Sequence, residues 1–467
     1  MRLRKFFGNA DFWRDALRLA VPISVQNLLV SSFALVDTVM VGTLGETALA
    51  AVGMAGQWSW LLNLVLFGFN SGAAVFIAQF WGVKDEKNIR KSFGLAVLSA
   101  LTAGLIFTLI GLLAPQLVLG CFTQDAETAA LGASYLRIAA FSYVAICLNN
   151  LFGTLLRSTE QPKLPLYATI ISVLSNALLN ALFIYGLDMG VQGAALATAI
   201  SAWISPVILF VMSMKRKNIL YAPLRSFIGW KKAFVMEFYR ISIPVLLNES
   251  LWALGTVTYK AFYSNASKDF YAALTIFHSI EGLAFSFFVG MCHACAVMVG
   301  KQVGSGDFKQ AYRDACRFTA VFPVVSLAVG VLLIIFRPLI LMPFGNVEAE
   351  TLATASMLIF LYALEIPLRN LPYITIVGVF RSGGDTRIGL WFDLGCLWGI
   401  TLPLVYICAF HTSIPLVWVF LIMLLAEDVI KSSLCIWRLL SKKWIRPVTS
   451  ESARQKVGAD QADSSPV

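Results

Sequence analysis

The sequence predicts an all-α integral membrane protein with about twelve transmembrane helices, arranged as two six-helix bundles related by a pseudo-two-fold axis along the membrane normal. Three observations carry this reading. The chain has 467 residues, 58% hydrophobic and 13% charged, whereas a soluble domain has roughly 45–50% apolar and about 25% charged residues. Apolar stretches recur along nearly the whole chain, about twelve of them, each near the ~20 residues a helix needs to cross a bilayer. The second half of the chain also repeats landmarks of the first.

The N-terminus is basic (Arg2, Arg4, Lys5, Arg14, Arg18). The apolar segment after it is long, contains Pro22 and Asp37, and lacks a small-residue cleavage site, so it reads as the first helix and not as a signal peptide. Arg and Lys then recur in every second loop: Lys84 to Lys91, Arg157 to Lys163, Lys215 to Arg240, Lys301 to Arg317, Arg381 to Arg387, and from Lys431 onward. The intervening loops hold almost no basic residues, Lys268 and Arg337 being the exceptions, and carry acids such as Glu46, Asp125, Glu127, Asp188, Glu348 and Glu350. This is the positive-inside pattern, which expects a multi-pass protein of the cell membrane with both termini cytoplasmic. The net charge of +10 is therefore a topology signal, and no nucleic-acid partner is expected. The partners expected from composition are the lipid bilayer and, inside the bundle, small molecules.

Pro22 recurs as Pro244, 222 residues on, and the same offset maps Ala50-Ala51 onto Ala272-Ala273, Gly82 onto Gly304, Asp85 onto Asp307 and Lys87 onto Lys309. Arg157-Ser158 recurs as Arg381-Ser382 after a drift of two residues. A unit of this length is a bundle of about six helices, not a solenoid repeat. Six crossings return the chain to its starting side, so the second copy enters in the same orientation. The expected domains are an N-terminal lobe over residues 1–218, a basic linker over 219–235 that is partly amphipathic helix, a C-terminal lobe over 236–446, and a polar, disordered tail over 447–467. A two-lobed membrane protein of this kind fits alternating access.

Several motifs resemble those of the multidrug and toxic compound extrusion (MATE) transporters over roughly residues 15 to 446. They are Pro22 with Val36-Asp37-Thr38-Val39-Met40-Val41-Gly42, the run from Gly190-Val191-Gln192-Gly193 to Ala197-Thr198, the loop Arg381-Ser382-Gly383-Gly384-Asp385-Thr386-Arg387, and Asp393 with Pro403. Pro244 to Trp252, with Asn248-Glu249 and then Trp252, is similar to a bacterial branch of that family. The resemblance implies a secondary antiporter that expels organic, often cationic and amphipathic compounds in exchange for Na⁺ or H⁺. It implies no other cofactor, no enzymatic activity, and a monomer.

Asp37 is the leading candidate for cation coupling, because a charged group at bilayer depth costs roughly 2.5–3.5 kcal/mol on insertion scales. Gln26, Val30, Phe33 and Asp37 share a helical face; Asn176 and Asn180 share another. In the family, the cation site resembles Asp37, Asn176 and Thr198, with a second acid where Asn180 stands here. One carboxylate with amide and hydroxyl oxygens suits Na⁺; protonation of Asp37 alone is the alternative. The bland reading of the Asn pair is interhelical hydrogen bonding, worth about 0.6 kcal/mol per contact.

In the second half the acid is not duplicated at the same depth, since the register pairs Asp37 with Tyr259. Glu249 is the candidate there, as substrate countercharge or second coupling acid, with Asn248 and Trp252 beside it and Lys260 as its expected neutralising partner. His278 and Glu281 stand three residues apart on one helix. Asp393, Glu365 and Arg369 suggest interior ion pairs. Cys292-His293-Ala294-Cys295 imitates a metal spacing, but no second Cys/His pair accompanies it, and packing is the better reading. The Gly-rich loops after helices two, eight and ten read as capped turns or as hinges. No phosphate loop, H-E-x-x-H motif or filter-like loop is present. The competing readings are a flippase of lipid-linked precursors, which calls for a strongly basic cleft, and a membrane receptor that does not transport.

Overall fold

The computed structural model describes residues 8–123, 125–344 and 347–450. Among them all regular structure is helical. The long helices are α1 (Ala10–Gly42), α2 (Glu46–Gly82), α3 (Glu86–Leu113), α4 (Ala126–Ala139), α5 (Ser142–Ser158), α6 (Lys163–Asn180) and α7 (Gly190–Lys215) in the first half. The second half has α8 (Lys232–Ala266), α9 (Lys268–Ser305), α10 (Phe308–Leu341), α11 (Ala349–Tyr373), α12 (Thr386–Cys396), α13 (Leu402–His411) and α14 (Leu416–Leu440). Only helices satisfy every backbone group within one segment, which a bilayer demands.

Among the described residues, ten segments are long and apolar enough to cross a membrane. The pair α4–α5 forms one of them (Ala126–Ser158), as does α12–α13 (Thr386–His411). With α8 and α14 the number reaches the expected twelve. Those two helices fall short on apolarity because polar side chains interrupt them: Asn248 and Glu249 in α8, and Glu427, Asp428 and Lys431 in α14. Elsewhere apolar side chains point outward in helical stripes, as with Leu98, Leu105, Leu109 and Leu113 of α3, the surface that lipid requires.

Two compact units emerge, one spanning Val21–Leu246 and the other combining the chain up to Ala20 with Leu247 onward. The division falls inside α1 and α8, not in the linker. Packing explains this. In the first unit, a Cβ on Gly68 would lie 2.6 Å from Leu246 Cβ, and one on Gly72 would overlap the Ser242 hydroxyl. The Gly68-x-x-x-Gly72 pair lets α2 and the start of α8 approach backbone to backbone, and Phe76 packs edge-on against Phe234 and at a tilt against Phe238, at 5.7 and 5.6 Å. In the second unit, Phe12 of α1 packs edge-on against Phe318 at 5.2 Å, under the Arg317 guanidinium.

Two expectations about the connecting segments are corrected. Before α8 begins at Lys232, the linker holds a single 3₁₀ turn, Leu224–Phe227, and no amphipathic helix of its own, because Pro223 and the positive-φ Gly229 (φ 84°) bracket it. It lies on α3: Trp230 Nε1 donates to the Lys91 carbonyl at 2.8 Å, and Gly94 leaves room for the Phe227 carbonyl. The C-terminal segment stays packed beyond residue 447. Thr449 is buried and its hydroxyl donates to the Gly304 carbonyl at 2.7 Å. Residues 451–467 lie outside the described residues.

The repeat extends to backbone conformation. Lys84 and Gly306, at equivalent positions before α3 and α10, both have positive φ (53° and 88°). Asp85 and Asp307 follow as N-caps, accepting from Asn88 N and Gln310 N. These two Gly-rich turns are capped turns. The third differs: Asp385 caps nothing through its side chain and instead pairs with Arg438 and Arg446.

Candidate functional site

In the first unit the helices α1, α6 and α7 bring the expected polar residues together. Asn180 Nδ2 donates to Asp37 Oδ1 at 2.5 Å and lies 3.3 Å from Asn176 Oδ1. Asn176 Nδ2 in turn donates to Ser201 Oγ at 3.1 Å, and Ser201 reaches back to the Thr198 carbonyl. Asn180 is fully buried, and its Oδ1 receives no hydrogen bond among the described residues. An orphaned buried carbonyl oxygen costs about 1–3 kcal/mol and is a ready ligand for a hard cation, which prefers oxygen donors.

Thr198 joins this group indirectly. Its hydroxyl donates to the Ala194 carbonyl at 3.0 Å within its own helix and meets Tyr135 of α4. Tyr135 and Ser201 are members that sequence reasoning missed; a lone Tyr or Ser in an apolar helix gives no periodic signal. Gln26, on the Asp37 face of α1, donates to Thr169 Oγ1 at 2.8 Å and lies 3.5 Å from Arg157.

In the second unit, Arg381 donates to Glu249 at 2.6 Å. The expected partner, Lys260, lies eleven residues beyond Glu249 on α8 and eight beyond Trp252, and feels the charge of Glu281 instead. Trp252 is exposed on α8. Asn248 Nδ2 donates to Asp393 Oδ2 at 3.0 Å, and Lys431 Nζ lies 3.2 Å from Asp393 Oδ1 and 2.7 Å from Glu427 Oε1. His278 and Glu281 do meet, Nδ1 to Oε2 at 2.7 Å, and Arg369 completes the pair at 2.8 Å from Glu281 Oε1. Tyr259 packs near His278, ring centroids 6.3 Å apart. Arg369 is thus the partner of Glu281, and Asp393 that of Lys431.

Lys431 is buried inside α14 and does not belong to the C-terminal basic loop, where charge counting placed it. Sequence reasoning also missed Glu427 and Asp428. Their signal was present: three ionisable residues within one otherwise apolar helix, the same criterion that singled out Asp37.

The two units use equivalent positions for equivalent bonds. Gln26 and Thr169 of the first correspond to Asn248 and Asp393 of the second under the offsets of 222 and 224 residues, and both pairs are hydrogen-bonded. Arg157 reaches Gln26 as Arg381 reaches Glu249, one position further along. The second unit has acids where the first has neutral groups.

Among the described residues no group of three or more His, Cys, Asp or Glu is placed to hold a metal ion. Cys292 and Cys295 are buried, unbridged core residues of α9, and His293 Nδ1 lies 2.9 Å from the Val289 carbonyl.

A bundle of membrane-crossing helices that buries carboxylates, amides and ion pairs at membrane depth defines a polytopic membrane protein of the transporter class. The family model described as MatE matches residues 22–182 and 244–407, more than half of the chain and once in each repeat. The chain belongs to the MatE family and is a MATE-family transporter. A model described as "Lipid II flippase MurJ" also matches residues 128–268. Among curated relatives, "Probable multidrug resistance protein NorM" of Thermotoga maritima is 23% identical, over 92% of this chain and 93% of its own. "Probable multidrug resistance protein YoeA" of Bacillus subtilis is 25% identical, over 87% and 89%. Two solved structures share the fold. One, described as "Crystal structure of MATE in complex with MaL6", has a TM-score of 0.83 at 19% identity over 98% of this chain and 99% of that one. The other is a MOP superfamily transporter from Pyrococcus furiosus, TM-score 0.84 at 20% identity over 94% and 98%.

Proposed function

We propose that this transporter is a secondary antiporter of the cell membrane, with both termini cytoplasmic, that exports organic and often cationic compounds by alternating access in exchange for Na⁺ or H⁺. The observation that carries the reading is Asp37, a carboxylate at membrane depth whose neighbours Asn180 and Asn176 supply only amide groups. Asp37 Oδ2, the orphaned Asn180 Oδ1 and Asn176 Oδ1 are oxygen donors suited to Na⁺; a proton needs only Asp37. With one acid in this group instead of two, a single positive charge neutralises the site. The names of the curated multidrug relatives support the substrate class.

A flippase reading draws on the match to the MurJ model. Against it, the interior cations of the second unit are engaged with carboxylates: Arg381 with Glu249, Arg369 with Glu281, and Lys431 with Asp393 and Glu427. They do not form the free basic patch that a lipid phosphate calls for.

The test is efflux of a fluorescent organic cation from proteoliposomes under an imposed Na⁺ or pH gradient, with Asp37→Asn alongside. Dye movement driven by one gradient in the wild type and lost in the variant is the expected result, and it names the ion. Equal movement in both would remove Asp37 from the coupling step.

A further inference from the structure

In the second unit a cluster of five buried or nearly buried carboxyls surrounds the fixed positive charges Lys260, Arg369 and Lys431, and the pairing leaves one carboxyl couple over. Glu281, Glu365, Asp393, Glu427 and Asp428 are all buried or nearly so. Arg369 is taken by Glu281, which also holds His278 and faces Lys260. Lys431 is shared by Asp393 and Glu427, and Thr401 donates to the second oxygen of Glu427 at 3.2 Å.

Glu365 and Asp428 remain, facing each other between α11 and α14. Each is only 4% exposed. Both carboxyl oxygens of Glu365 are buried and receive no hydrogen bond from any donor group among the described residues; the side chain it meets is the carboxyl of Asp428. Arg369, one turn beyond Glu365 on the same helix, lies within Coulombic reach of both but makes its ion pair with Glu281. The other charged or titratable groups that face the couple are Glu427 and Lys431 of α14, Glu281 of α9, Tyr362 of α11 and Cys396 of α12.

Two carboxylates cannot hydrogen-bond to each other. A contact between two carboxyl groups is a hydrogen bond only when a proton lies between them, one group donating and the other accepting, and two unprotonated like charges a few ångströms apart in a dry site cannot both persist. A buried Glu that lacks any donor and faces a second carboxyl is relieved of both penalties by carrying a proton and donating it to that neighbour.

We infer that Glu365 and Asp428 form a one-proton binding site in the C-terminal lobe, with the proton on Glu365 donated to the Asp428 carboxylate. Release of the proton to water leaves two carboxylates. Arg369, whose side chain is 32% exposed, is the group placed to swing from Glu281 toward them and offset the new charge. Glu281 then keeps His278 and Lys260. The site lies on helices different from those of the Asp37 group and gives the second lobe a proton site of its own. Its existence is independent of the antiport reading; its use in coupling rests on that reading.

The test is the infrared carbonyl stretch of protonated carboxylic acids, recorded on the purified full-length protein in lipid nanodiscs at neutral pH. The readout needs no transport, so it separates this inference from the antiport reading. The wild type is expected to show a protonated-acid band that Glu365→Gln removes, by one carboxyl per protein, and that Asp37→Asn leaves in place. The amide of the Gln variant still donates to Asp428, which favours retention of the fold. Should Glu365→Gln fail to fold, Asp428→Asn reports on the same proton and is expected to shift the band, because it replaces the charged acceptor with a neutral one. A band unchanged by the folded variant would overturn the site.

Discussion

Arg381 donates to Glu249 at 2.6 Å, joining the segment after α11 to α8 where Arg157 in the other half meets the neutral amide of Gln26 and the Thr154 hydroxyl. Arg381 is buried, so the pair is not a surface ion pair of small worth. Breaking a buried pair by removing one partner leaves an uncompensated charge and costs about 3–5 kcal/mol, whereas replacing both partners is often close to neutral. Arg381→Met should therefore lower thermal stability strongly, and Arg381→Met with Glu249→Gln should recover most of the loss. Melting temperatures of the single and double variants in detergent check this. If the double variant is no better than Arg381→Met alone, Glu249 is not what Arg381 neutralises.

Asn180 stands where relatives with a two-acid site are expected to have a carboxylate, and its amide bonds to Asp37 at 2.5 Å. Asn180→Asp replaces that hydrogen bond with like-charge repulsion that only a proton or a cation can relieve. The variant should bind radiolabelled Na⁺ more tightly than the wild type and should lose stability when Na⁺ is withdrawn at alkaline pH. Equilibrium dialysis and melting curves with and without Na⁺ test both. Stability independent of Na⁺ and of pH would show that the two side chains separate.

Much of the fold was legible because the bilayer imposes simple rules. Apolar runs of spanning length, alternating basic loops and the recurrence of Pro22 as Pro244 each reflect one constraint. Asp37 with Asn176 and Asn180 was legible because helical spacing aligns the two Asn on α6 and an acid inside an apolar helix is conspicuous. The partner of Glu249 was not, since Arg381 approaches from 132 residues away while Lys260 lay on the same helix and suggested a local pair. Lys431, Glu427 and Asp428 were hidden by their place near the end of the chain, where a basic residue reads as a loop signal. The true unit boundaries, inside α1 and α8, depend on which neighbour each half-helix packs against, and no local pattern records that.

Gly68 and Gly72 predict a sharp steric response. A Cβ at Gly68 would sit 2.6 Å from Leu246 Cβ and 2.8 Å from its Cα, and backbone cannot yield as a flexible side chain does. Gly68→Ala should cost about 1–3 kcal/mol, the usual range for overpacking, and Gly68→Val more. Gly53, whose surroundings are open, is the control, and Gly53→Ala on the same helix should be neutral or slightly stabilising. Melting temperatures that fall equally for the two alanine variants would mean that helix propensity and not the contact with α8 decides the effect.

Trp444 is fully buried although it follows the last membrane helix, and its indole covers Gly383, where any side chain would collide with it. Two residues on, Arg446 N donates to the Gly383 carbonyl at 2.7 Å, and the Arg446 guanidinium lies 3.0 Å from Asp385. Arg438 of α14 binds the other oxygen of that carboxylate. The segment after α14 therefore clamps the turn before α12, and through it the mutual position of α11 and α12, which carry Glu365, Arg369 and Asp393. Truncating this indole should cost about 3–5 kcal/mol, as for large aromatic-to-alanine changes in cores. Because the clamp acts on α11 and α12, Trp444→Ala should also weaken the Asn248–Asp393 contact while leaving the Asp37 group intact. A cysteine cross-link or distance label between α8 and α12 reads the first effect, and Na⁺ or proton binding at Asp37 reads the second. If Trp444→Ala lowers stability but leaves the α8–α12 distance and its spread unchanged, the segment stabilises the unit without setting the geometry of its buried acids.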